Sequence, residues 1–232
     1  IYSPTNKWQT ILVFGLREGG KAFYSLDISN PASVSFKWKF PDYQAAAIIA
    51  SKSGTTSITL TTASKSGTFE AGQYLVNEAK TARTLITGVS GDVLTVSNNT
   101  SFSTSDKVMA LPNYAQYLGL TWSKPVIGRL RYKKGATGTQ VETWVAILTG
   151  GLGDGTNEEG KSLFIVDADT GAPIWYLAHT SGTDSIGNDF YKKNSSIFDY
   201  SIPQSLTAVD LNNDTFIDTI YFGNTGGHLF KL

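Results

Sequence analysis

The stretch Glu159–Leu177, EGKSLFIVDADTGAPIWYL, predicts two short strands joined by a turn. Apolar and β-branched residues fill Ser162–Asp167 and Pro173–Leu177, as is typical of buried strands. Between them, Asp-x-x-Thr-Gly is typical of a turn in which Gly171 takes a positive φ angle. The stretch therefore predicts a β-hairpin with a Trp in its second strand.

The same pattern occurs twice more, which indicates an internal repeat. The segment GGKAFYSLDISNP…FKWKF begins at Gly19 and also ends in a Trp-containing strand, whereas TGGHLFKL begins at Thr225. When Lys21, Lys161 and His228 are aligned, the second interval is about half as long as the first. Strand-rich units of about 70 residues with this signature predict the blades of a β-propeller.

The extra length of the first interval is explained by residues 43–112, which are rich in Ser and Thr and poor in aromatic residues. This segment predicts an inserted small β-barrel or sandwich domain between propeller blades at 1–42 and 113–232. Within it, SITLTTASKSGTFEAGQYL resembles DVLTVSNNTSFSTSDKVM, with Phe69 aligned to Phe102. The similarity predicts an inserted domain built from two similar halves.

The whole chain is predicted to be all-β, since its periodic segments alternate or are short β-branched runs. The segment QAAAIIA is too short to indicate a helix. The candidate strands are Thr10–Phe14, Ala22–Asp27, Lys37–Phe40, Ser57–Thr61, Gln73–Val76, Thr84–Gly88, Val93–Ser97, Trp144–Leu148, Ser162–Asp167, Pro173–Leu177, Leu206–Asp210, Thr219–Gly223 and His228–Leu232.

Four Trp residues lie in or beside these strands, and we expect them to pack between blades: Trp8, Trp38, Trp144 and Trp175. The chain begins and ends in strand-like sequence, and it has too few blades to close a ring. We therefore expect a partial β-propeller, one piece of a longer protein.

Composition excludes several classes of protein. Lys and Arg together number 19 and so do Asp and Glu, so the basic excess typical of a nucleic-acid partner is missing. The chain has no Cys, which excludes a disulfide framework and thiolate metal sites. No apolar run approaches the roughly 18 residues that a membrane span requires, so no direct membrane span is expected.

The stretch SLTAVDLNNDTFIDTIYFGN, residues 205–224, predicts a calcium loop between two strands. Calcium takes six to eight oxygen ligands, and oxygen-bearing side chains recur here at positions one, three, five and nine. We expect Ca2+ to be held by side-chain oxygens and by the backbone carbonyl at position seven. The predicted ligands are Asp210, Asn212, Asp214, Phe216 and Asp218.

Two features of this loop depart from a helix-flanked calcium loop. Position six is Thr215 instead of Gly, and position twelve is Tyr221 instead of Glu. The alternative is a turn rich in Asp and Asn whose charges are solvated.

Four blocks of the chain resemble, in the same order, the C-terminal β-propeller domain of PilY/PilC-type proteins, the tip-associated adhesins and assembly proteins of bacterial type IV pili. The blocks are WQTILVFGLREGGKAFYSLDISNP, LGLTWSKPVIGRL, TWVAILTGG…EGKSLFIVDADTGAPIWYL and IPQSLTAVDLNNDTFIDTIYFGNTGGHLFKL. The resemblance covers about residues 8–40 and 117–232. It implies a modified seven-bladed propeller with one calcium ion in the loop.

The resemblance also implies a role in pilus extension and retraction, surface adhesion and twitching motility. The implied partners are minor pilins at the tip of the pilus fibre and a host or abiotic surface. The implied location is the cell surface and pilus tip, reached through the periplasm and outer membrane. No Arg-Gly-Asp triplet occurs, so the integrin-binding feature of some members is not implied.

Enzymatic chemistry is not indicated by the remaining motifs. The Gly-rich TGGLGDGTNEEG fails the dinucleotide fingerprint because Thr156 stands where Gly is needed and a strand follows, so it is predicted to be a loop. Four oxygen-bearing residues of this stretch could hold a second cation, but they lack ligand spacing: Asp154, Asn157, Glu158 and Glu159. The two His residues, His179 and His228, are not part of a recognisable catalytic motif.

We therefore expect a non-enzymatic, calcium-binding propeller fragment. Two alternatives come from other classes of protein. A quinoprotein-like dehydrogenase propeller is suggested by the DADTG…W repeats, but it needs a cofactor pocket for which no residues stand out. A lectin-like or integrin-like calcium-dependent propeller would repeat the calcium loop in several blades, whereas this sequence has it once.

Overall fold

The structure is a computed structural model that describes residues 8–79, 81–133, 138–153, 158–179, 185–186, 191–194 and 199–232. The described chain is all-β, as predicted, with two short 3-10 helices at Thr62–Ser64 and Asn113–Tyr117. It divides into two compact units. One comprises Ile1–Phe40 with Gln116–Leu232, and the other is Pro41–Ala115.

The discontinuous unit begins with an antiparallel sheet of three strands, in the order β1-β2-β3. Alternation along the strands buries Phe23 and Ser25 on one face of the sheet, together with Trp38 and Phe40. The strands are β1 (Ile11–Gly15), β2 (Phe23–Asp27) and β3 (Ser35–Phe40).

The second sheet of this unit has six strands in the order β11-β12-β13-β14-β16-β15. Its first four strands are antiparallel neighbours, and β16 runs parallel to β14. The apolar runs of β12 and β13 are buried along most of their length, as expected for central strands. The strands are β11 (Val126–Lys133), β12 (Gln140–Thr149), β13 (Ser162–Asp167), β14 (Pro173–Ala178), β15 (Ser185–Ile186) and β16 (Tyr191–Asn194).

The third sheet is antiparallel, in the order β17-β18-β19. It shares one apolar core with the second sheet, since Val145 and Leu163 belong to the same buried cluster as Ile220 and Phe222. The strands are β17 (Thr207–Val209), β18 (Thr219–Gly223) and β19 (Leu229–Lys231).

The first sheet packs against the second through aromatic and polar contacts. The Phe40 and Phe164 rings lie 5.2 Å apart in an edge-on arrangement. The Trp38 indole N–H donates a hydrogen bond to the carbonyl of Ala168 at 3.0 Å. The second sheet therefore contacts both of the others, and the three sheets pack in chain order.

The repeat seen in the sequence matches these sheets. Lys21, Lys161 and His228 each lie just before the equivalent strand of a sheet, namely β2, β13 and β19. The hairpin turn at the end of β13 is built as predicted. Asp167 Oδ1 accepts the amide of Thr170 at 2.9 Å, and Gly171 has φ +73°.

The second unit contains a closed barrel of six strands. Around the barrel the order is β10-β7-β8-β9-β5-β4, and β4 pairs with β10 to close the ring, while the short β6 pairs beside it with β4. A barrel or sandwich was predicted, and the structure has the barrel. The strands are β4 (Ala45–Ser53), β5 (Ser57–Leu60), β6 (Ser66–Gly67), β7 (Tyr74–Asn77), β8 (Arg83–Ser90), β9 (Val93–Val96) and β10 (Lys107–Leu111).

The barrel consists of two similar halves. Exchanging β4, β5 and β7 for β8, β9 and β10 reproduces the same circular strand order. Phe69 and Phe102, which the sequence alignment pairs, are both buried in the barrel core. The interior is filled by aliphatic and aromatic side chains, so it is a packed core and not a channel.

Several predictions of secondary structure and burial were incomplete or wrong. The strands β4, β6, β10, β11, β15 and β16 were not among the predicted ones. Trp8 is 74% exposed, so its predicted place in the core is wrong, whereas Trp38 is buried. Trp144 and Trp175 are partly buried. Trp8 lies ahead of β1 and not within a strand.

Candidate functional site

The loop of residues 210–218 connects β17 to β18. Antiparallel pairing of these strands brings the two ends of the loop together, and the amide of Asp218 donates to the carbonyl of Val209 at 3.0 Å. The side chain of Asp218 continues this closure, because Oδ2 accepts the amide of Leu211 at 2.8 Å. The nine-residue spacing therefore places its first and last carboxylates at the same end of the sheet.

The other oxygen-bearing side chains turn into the loop. Asp210 accepts the amides of Asp214 at 3.2 Å and Thr215 at 2.7 Å, one with each carboxylate oxygen. Asn212 Oδ1 accepts the same Asp214 amide at 2.8 Å, and Asp214 Oδ1 accepts the amide of Phe216 at 2.9 Å. Each of these oxygens keeps a further lone pair that could meet a cation.

The backbone of the loop takes the left-handed conformation twice. Asn213 has φ +61° and Thr215 has φ +75°. Asn tolerates this region, whereas a β-branched residue such as Thr is an outlier there. Position six thus has the positive φ that Gly usually supplies in such loops, and Thr215 adopts it with strain.

Phe216 anchors the loop to the neighbouring sheet. Its side chain is 6% exposed and is flanked by two guanidinium groups of β11, with Arg129 Cζ 4.3 Å and Arg131 Cζ 4.0 Å from the ring centroid. The next residue adds a backbone hydrogen bond, since the amide of Ile217 donates to the Arg129 carbonyl at 2.8 Å. Gly128 leaves space for Ile217, because a Cβ there would lie 2.5 Å from Ile217 Cδ1.

The same two arginines form a polar network with the loop and with β12. Arg131 donates to Glu142 at 2.9 Å and to Asp214 Oδ2 at 3.2 Å. Arg129 donates to Thr215 Oγ1 at 2.8 Å and lies 3.8 Å from Glu142. The hydrogen bond to Glu142, with the nearby charges of Glu142 and Asp214, raises the pKa of Arg131 above its ordinary value.

The five predicted calcium ligands therefore share one loop, but their carboxylates are engaged with amides. Among the residues described, no three carboxylate, imidazole or thiol side chains are grouped closely enough to hold a metal ion. The donor set still fits calcium in kind, because it consists of hard oxygens with three carboxylates. Calcium binding would require these oxygens either to release their amide hydrogen bonds or to coordinate the ion through a further lone pair.

The Gly-rich stretch after β12 has a structural role. The amide of Gly119 donates to the Gly150 carbonyl at 2.7 Å, and Leu120 pairs with Leu152. Gly151, with φ +81°, pairs with Ile202. The glycines allow three backbone segments to approach closely, which agrees with a loop.

Two of the four candidate ligands for a second cation, Glu158 and Glu159, lie among the described residues. Asp154 and Asn157 lie outside the described residues, as does Thr156. Glu159 forms an ion pair with Lys21, and Glu158 lies 3.6 Å from Lys161 Nζ. Both described carboxylates therefore face cationic side chains of the protein.

The two histidines have different neighbours among the residues that the structure describes. His179 Nδ1 contacts Glu158, and Nε2 lies 3.0 Å from Asp199 Oδ1. The His228 ring lies beside Tyr200, with centroids 5.6 Å apart. Both nitrogens of His179 are thus occupied by carboxylates.

Sequence reasoning missed Arg129, Arg131 and Glu142. Their available signal was the alternation of β11, VIGRLRYK, in which charged and apolar residues succeed one another. Such a pattern predicts a strand with one polar face. It does not tell which loop, more than eighty positions further along the chain, will lie against that face.

Comparison with known proteins gives a structural match only. A scan against models of known families finds no match, and a search of curated proteins finds none. Among solved structures, the chain is similar to the crystal structure of the Pseudomonas aeruginosa PilY1 C-terminal domain, with 18% sequence identity and a TM-score of 0.46. The match covers 97% of this chain but 26% of that one, so the chain spans about a quarter of its length.

The protein named by this match is of the type that the sequence resembles. Within the described ranges, no helix has both the length and the apolar character needed to cross a membrane.

Proposed function

We propose that this chain is a non-enzymatic, calcium-binding part of a type IV pilus protein. The observation that carries the proposal is the loop between β17 and β18, which holds three Asp side chains and two Asn side chains within nine residues. The last of the sequence blocks that resemble PilY/PilC-type proteins contains this same loop. Different residues support the proposed propeller architecture, the proposed calcium site and the proposed cellular role.

The three sheets of the discontinuous unit are proposed to be successive blades of a larger, seven-bladed β-propeller. Support comes from the repeat, which places one equivalent strand in each sheet, and from packing in chain order. The first and second sheets meet at Phe40 and Phe164, and the second and third share a core that includes Val145 and Phe222. Face-to-face packing of consecutive antiparallel sheets is the arrangement that propeller blades use.

Calcium is proposed to bind within the loop. Asp210, Asn212, Asp214 and Asp218 would supply side-chain oxygens, and Phe216 its backbone carbonyl. A bound ion would supply the positive charge that lets three carboxylates lie together. The chain's own contribution is to close the loop through the β17–β18 pairing and to fix Phe216 against β11.

The loop is proposed to act by binding and not by catalysis. It joins the second and third sheets through the Arg129–Ile217 hydrogen bond and the buried Phe216 ring. An ion that orders the loop would therefore hold two sheets in one arrangement.

The cellular role follows from the sequence resemblance. We place the protein at the cell surface and the pilus tip, after export through the periplasm and outer membrane. Its partners would be minor pilins of the fibre tip and a host or abiotic surface. Calcium occupancy would then tune pilus extension and retraction, adhesion and twitching motility.

Isothermal titration of the chain with calcium tests the metal. We expect saturable binding by the wild type and at least tenfold weaker binding by Asp210→Asn, because that carboxylate is replaced by a neutral amide. Asp27→Asn is the matched control, since Asp27 also accepts a turn amide, from Ser29 at 2.9 Å, in another sheet. Equal affinities for all three proteins, or no binding by any, would contradict the calcium site.

The pilus role needs a separate test. Purified chain, immobilised with and without calcium, is exposed to minor pilins and to major pilin. Retention of minor pilins that is weakened by Asp210→Asn supports the proposed partner. Equal retention of minor and major pilins, or none of either, would argue against it.

A further inference from the structure

The two carboxylate oxygens of Asp214 have different partners, one in its own loop and one in the neighbouring sheet. One carboxylate oxygen, Oδ1, accepts the amide of Phe216 at 2.9 Å, while Oδ2 accepts Nη1 of Arg131 at 3.2 Å. A guanidinium is thus hydrogen-bonded to a predicted calcium ligand. This relationship bears on the metal loop and rests on the calcium-binding function proposed above.

Arg131 has a second anionic partner on its own sheet. Its Nε donates to Glu142 Oε1 at 2.9 Å, and the two residues stand directly opposite each other in the β11–β12 pairing. The guanidinium also lies 4.0 Å from the centroid of the Phe216 ring. Arg131 can therefore leave Asp214 and keep one ion pair and one ring contact.

We propose that Arg131 competes with calcium for Asp214 Oδ2 and so sets the affinity of the loop for divalent cations. A cation cannot coordinate Oδ2 fully while the guanidinium donates a hydrogen bond to it, and two positive charges beside one carboxylate repel each other. Arg131 is a positioning residue and not a metal ligand. It holds Asp214 in place when calcium is low and is displaced toward Glu142 when calcium binds.

The competition has a reciprocal consequence. If Arg131 weakens calcium binding by a given factor, calcium weakens the Arg131–Asp214 contact by the same factor. Binding would therefore remove an ion pair between the third and second sheets, while the Phe216 anchor remains. Calcium binding in the loop would therefore change the contacts of β11 and β12 through the Arg131 side chain.

Arg129 provides the matched control within the same strand. It stacks on the same Phe216 ring, with Cζ 4.3 Å from the centroid, and it carries the same charge. Its hydrogen bond, however, goes to the hydroxyl of Thr215 at 2.8 Å and not to a carboxylate of the loop. Removing its charge tests the general electrostatic field without freeing Asp214.

The experiment measures calcium affinity by titration calorimetry for wild type, Arg131→Met and Arg129→Met, with circular dichroism as a check on folding. We expect Arg131→Met to bind calcium about two- to fivefold more tightly than wild type, within the range that an exposed ion pair typically spans. Arg129→Met should change affinity less than about twofold. Arg131→Lys, which restores a charge near Asp214, should return affinity toward the wild-type value.

The outcomes separate the inference from the proposed function. If the folded wild type does not bind calcium, both fall. If wild type binds but Arg131→Met binds equally or more weakly, the competition is wrong and the calcium site stands. An equal gain in Arg131→Met and Arg129→Met would show a general charge effect and would also overturn the sharing of Asp214.

Discussion

Gly171, in the turn between β13 and β14, lies directly against the indole of Trp38 in β3. A Cβ added to Gly171 would come within 2.7 Å of Trp38 Cγ, and the residue has φ +73°. The Trp38 ring has little freedom to move away, because its N–H is bound to the carbonyl of Ala168 at 3.0 Å. Gly171 thus permits both the tight turn and the close contact between the first and second sheets.

Gly171→Ala is therefore expected to destabilise the discontinuous unit by about 2 kcal/mol or more, from the left-handed backbone and the overlap with the ring together. Chemical unfolding followed by Trp fluorescence measures the loss. Gly227→Ala is the control in the same unit, since it has φ +81° but nothing within 4 Å of its Cβ. Equal losses for both variants would mean that the Trp38 contact contributes nothing.

The sequence predicted the central strands well because burial alone determines them. Ser162–Asp167 was predicted with the same bounds that the structure has, since a β-branched apolar run must be covered on both faces. β4 was missed because its inward positions include Ala45 and Ala47, whose β-propensity is low. These small side chains are buried within a six-stranded barrel, so tertiary packing overrides local preference there.

The candidate site was predicted as a set of residues and not as an arrangement. Spacing placed Asp210 and Asp218 in one strand-flanked loop, as the structure has it. Spacing could not predict the contact of Asp214 with Arg131, because it depends on how two sheets pack. β11 was missed although its charged and apolar residues alternate, because Gly128 interrupts the run of strand-forming residues.

Thr215→Gly should stabilise the apo loop. Thr215 has φ +75°, which costs a β-branched residue about 1 kcal/mol or more, whereas Gly adopts it without strain. Against this gain stand the lost hydrogen bond from Arg129 at 2.8 Å and the greater unfolded-state entropy of Gly. Thr215→Asn keeps a polar side chain and tolerates positive φ, so we expect it to gain the most.

Denaturant unfolding of wild type, Thr215→Gly, Thr215→Asn and Thr215→Ala without calcium orders these contributions. Alanine retains the strain and loses the hydroxyl, so it should be the least stable of the four. Should Thr215→Ala equal or exceed Thr215→Asn in stability, backbone strain at this position would be refuted as the main cause of the differences among the variants.

Because the two halves of the barrel are similar, truncation of equivalent core residues should destabilise the barrel by similar amounts. Phe69 is 5% exposed and Phe102 is 2% exposed, and they occupy equivalent turns of the internal repeat. Truncation of a buried Phe to Ala typically costs about 3–5 kcal/mol from lost burial and the remaining cavity. We expect both Phe69→Ala and Phe102→Ala to destabilise the barrel within this range.

Thermal and denaturant unfolding measure these losses. Val89→Ala is the control, because Val89 is 41% exposed on the same unit and should change stability by less than about 0.5 kcal/mol. A large loss for Phe102→Ala beside a negligible one for Phe69→Ala would contradict equivalent packing of the two halves.

Because hydrogen bonds stabilise the ionised carboxylate of Asp92, the barrel should lose stability at acid pH. Asp92 Oδ1 accepts Lys65 Nζ at 2.7 Å and its other oxygen accepts the Thr62 hydroxyl, and these hydrogen bonds lower the pKa of Asp92 below the ordinary 3.8. Because the folded pKa is the lower one, the ionised carboxylate stabilises the fold. That contribution is complete above the unfolded pKa and is lost as the pH falls through the folded value.

Melting temperatures of wild type and Asp92→Asn, measured from about pH 6 down to about pH 2.5, test this sign. The wild type should melt higher at the upper end of this range, and the difference should shrink once the pH falls below about 3.8. In a Lys65→Met background the effect of Asp92→Asn near neutral pH should be smaller, because the main cause of the lowered pKa is gone. A difference that is constant across this range, or that grows on acidification, would show that Asp92 does not stabilise the barrel through its charge.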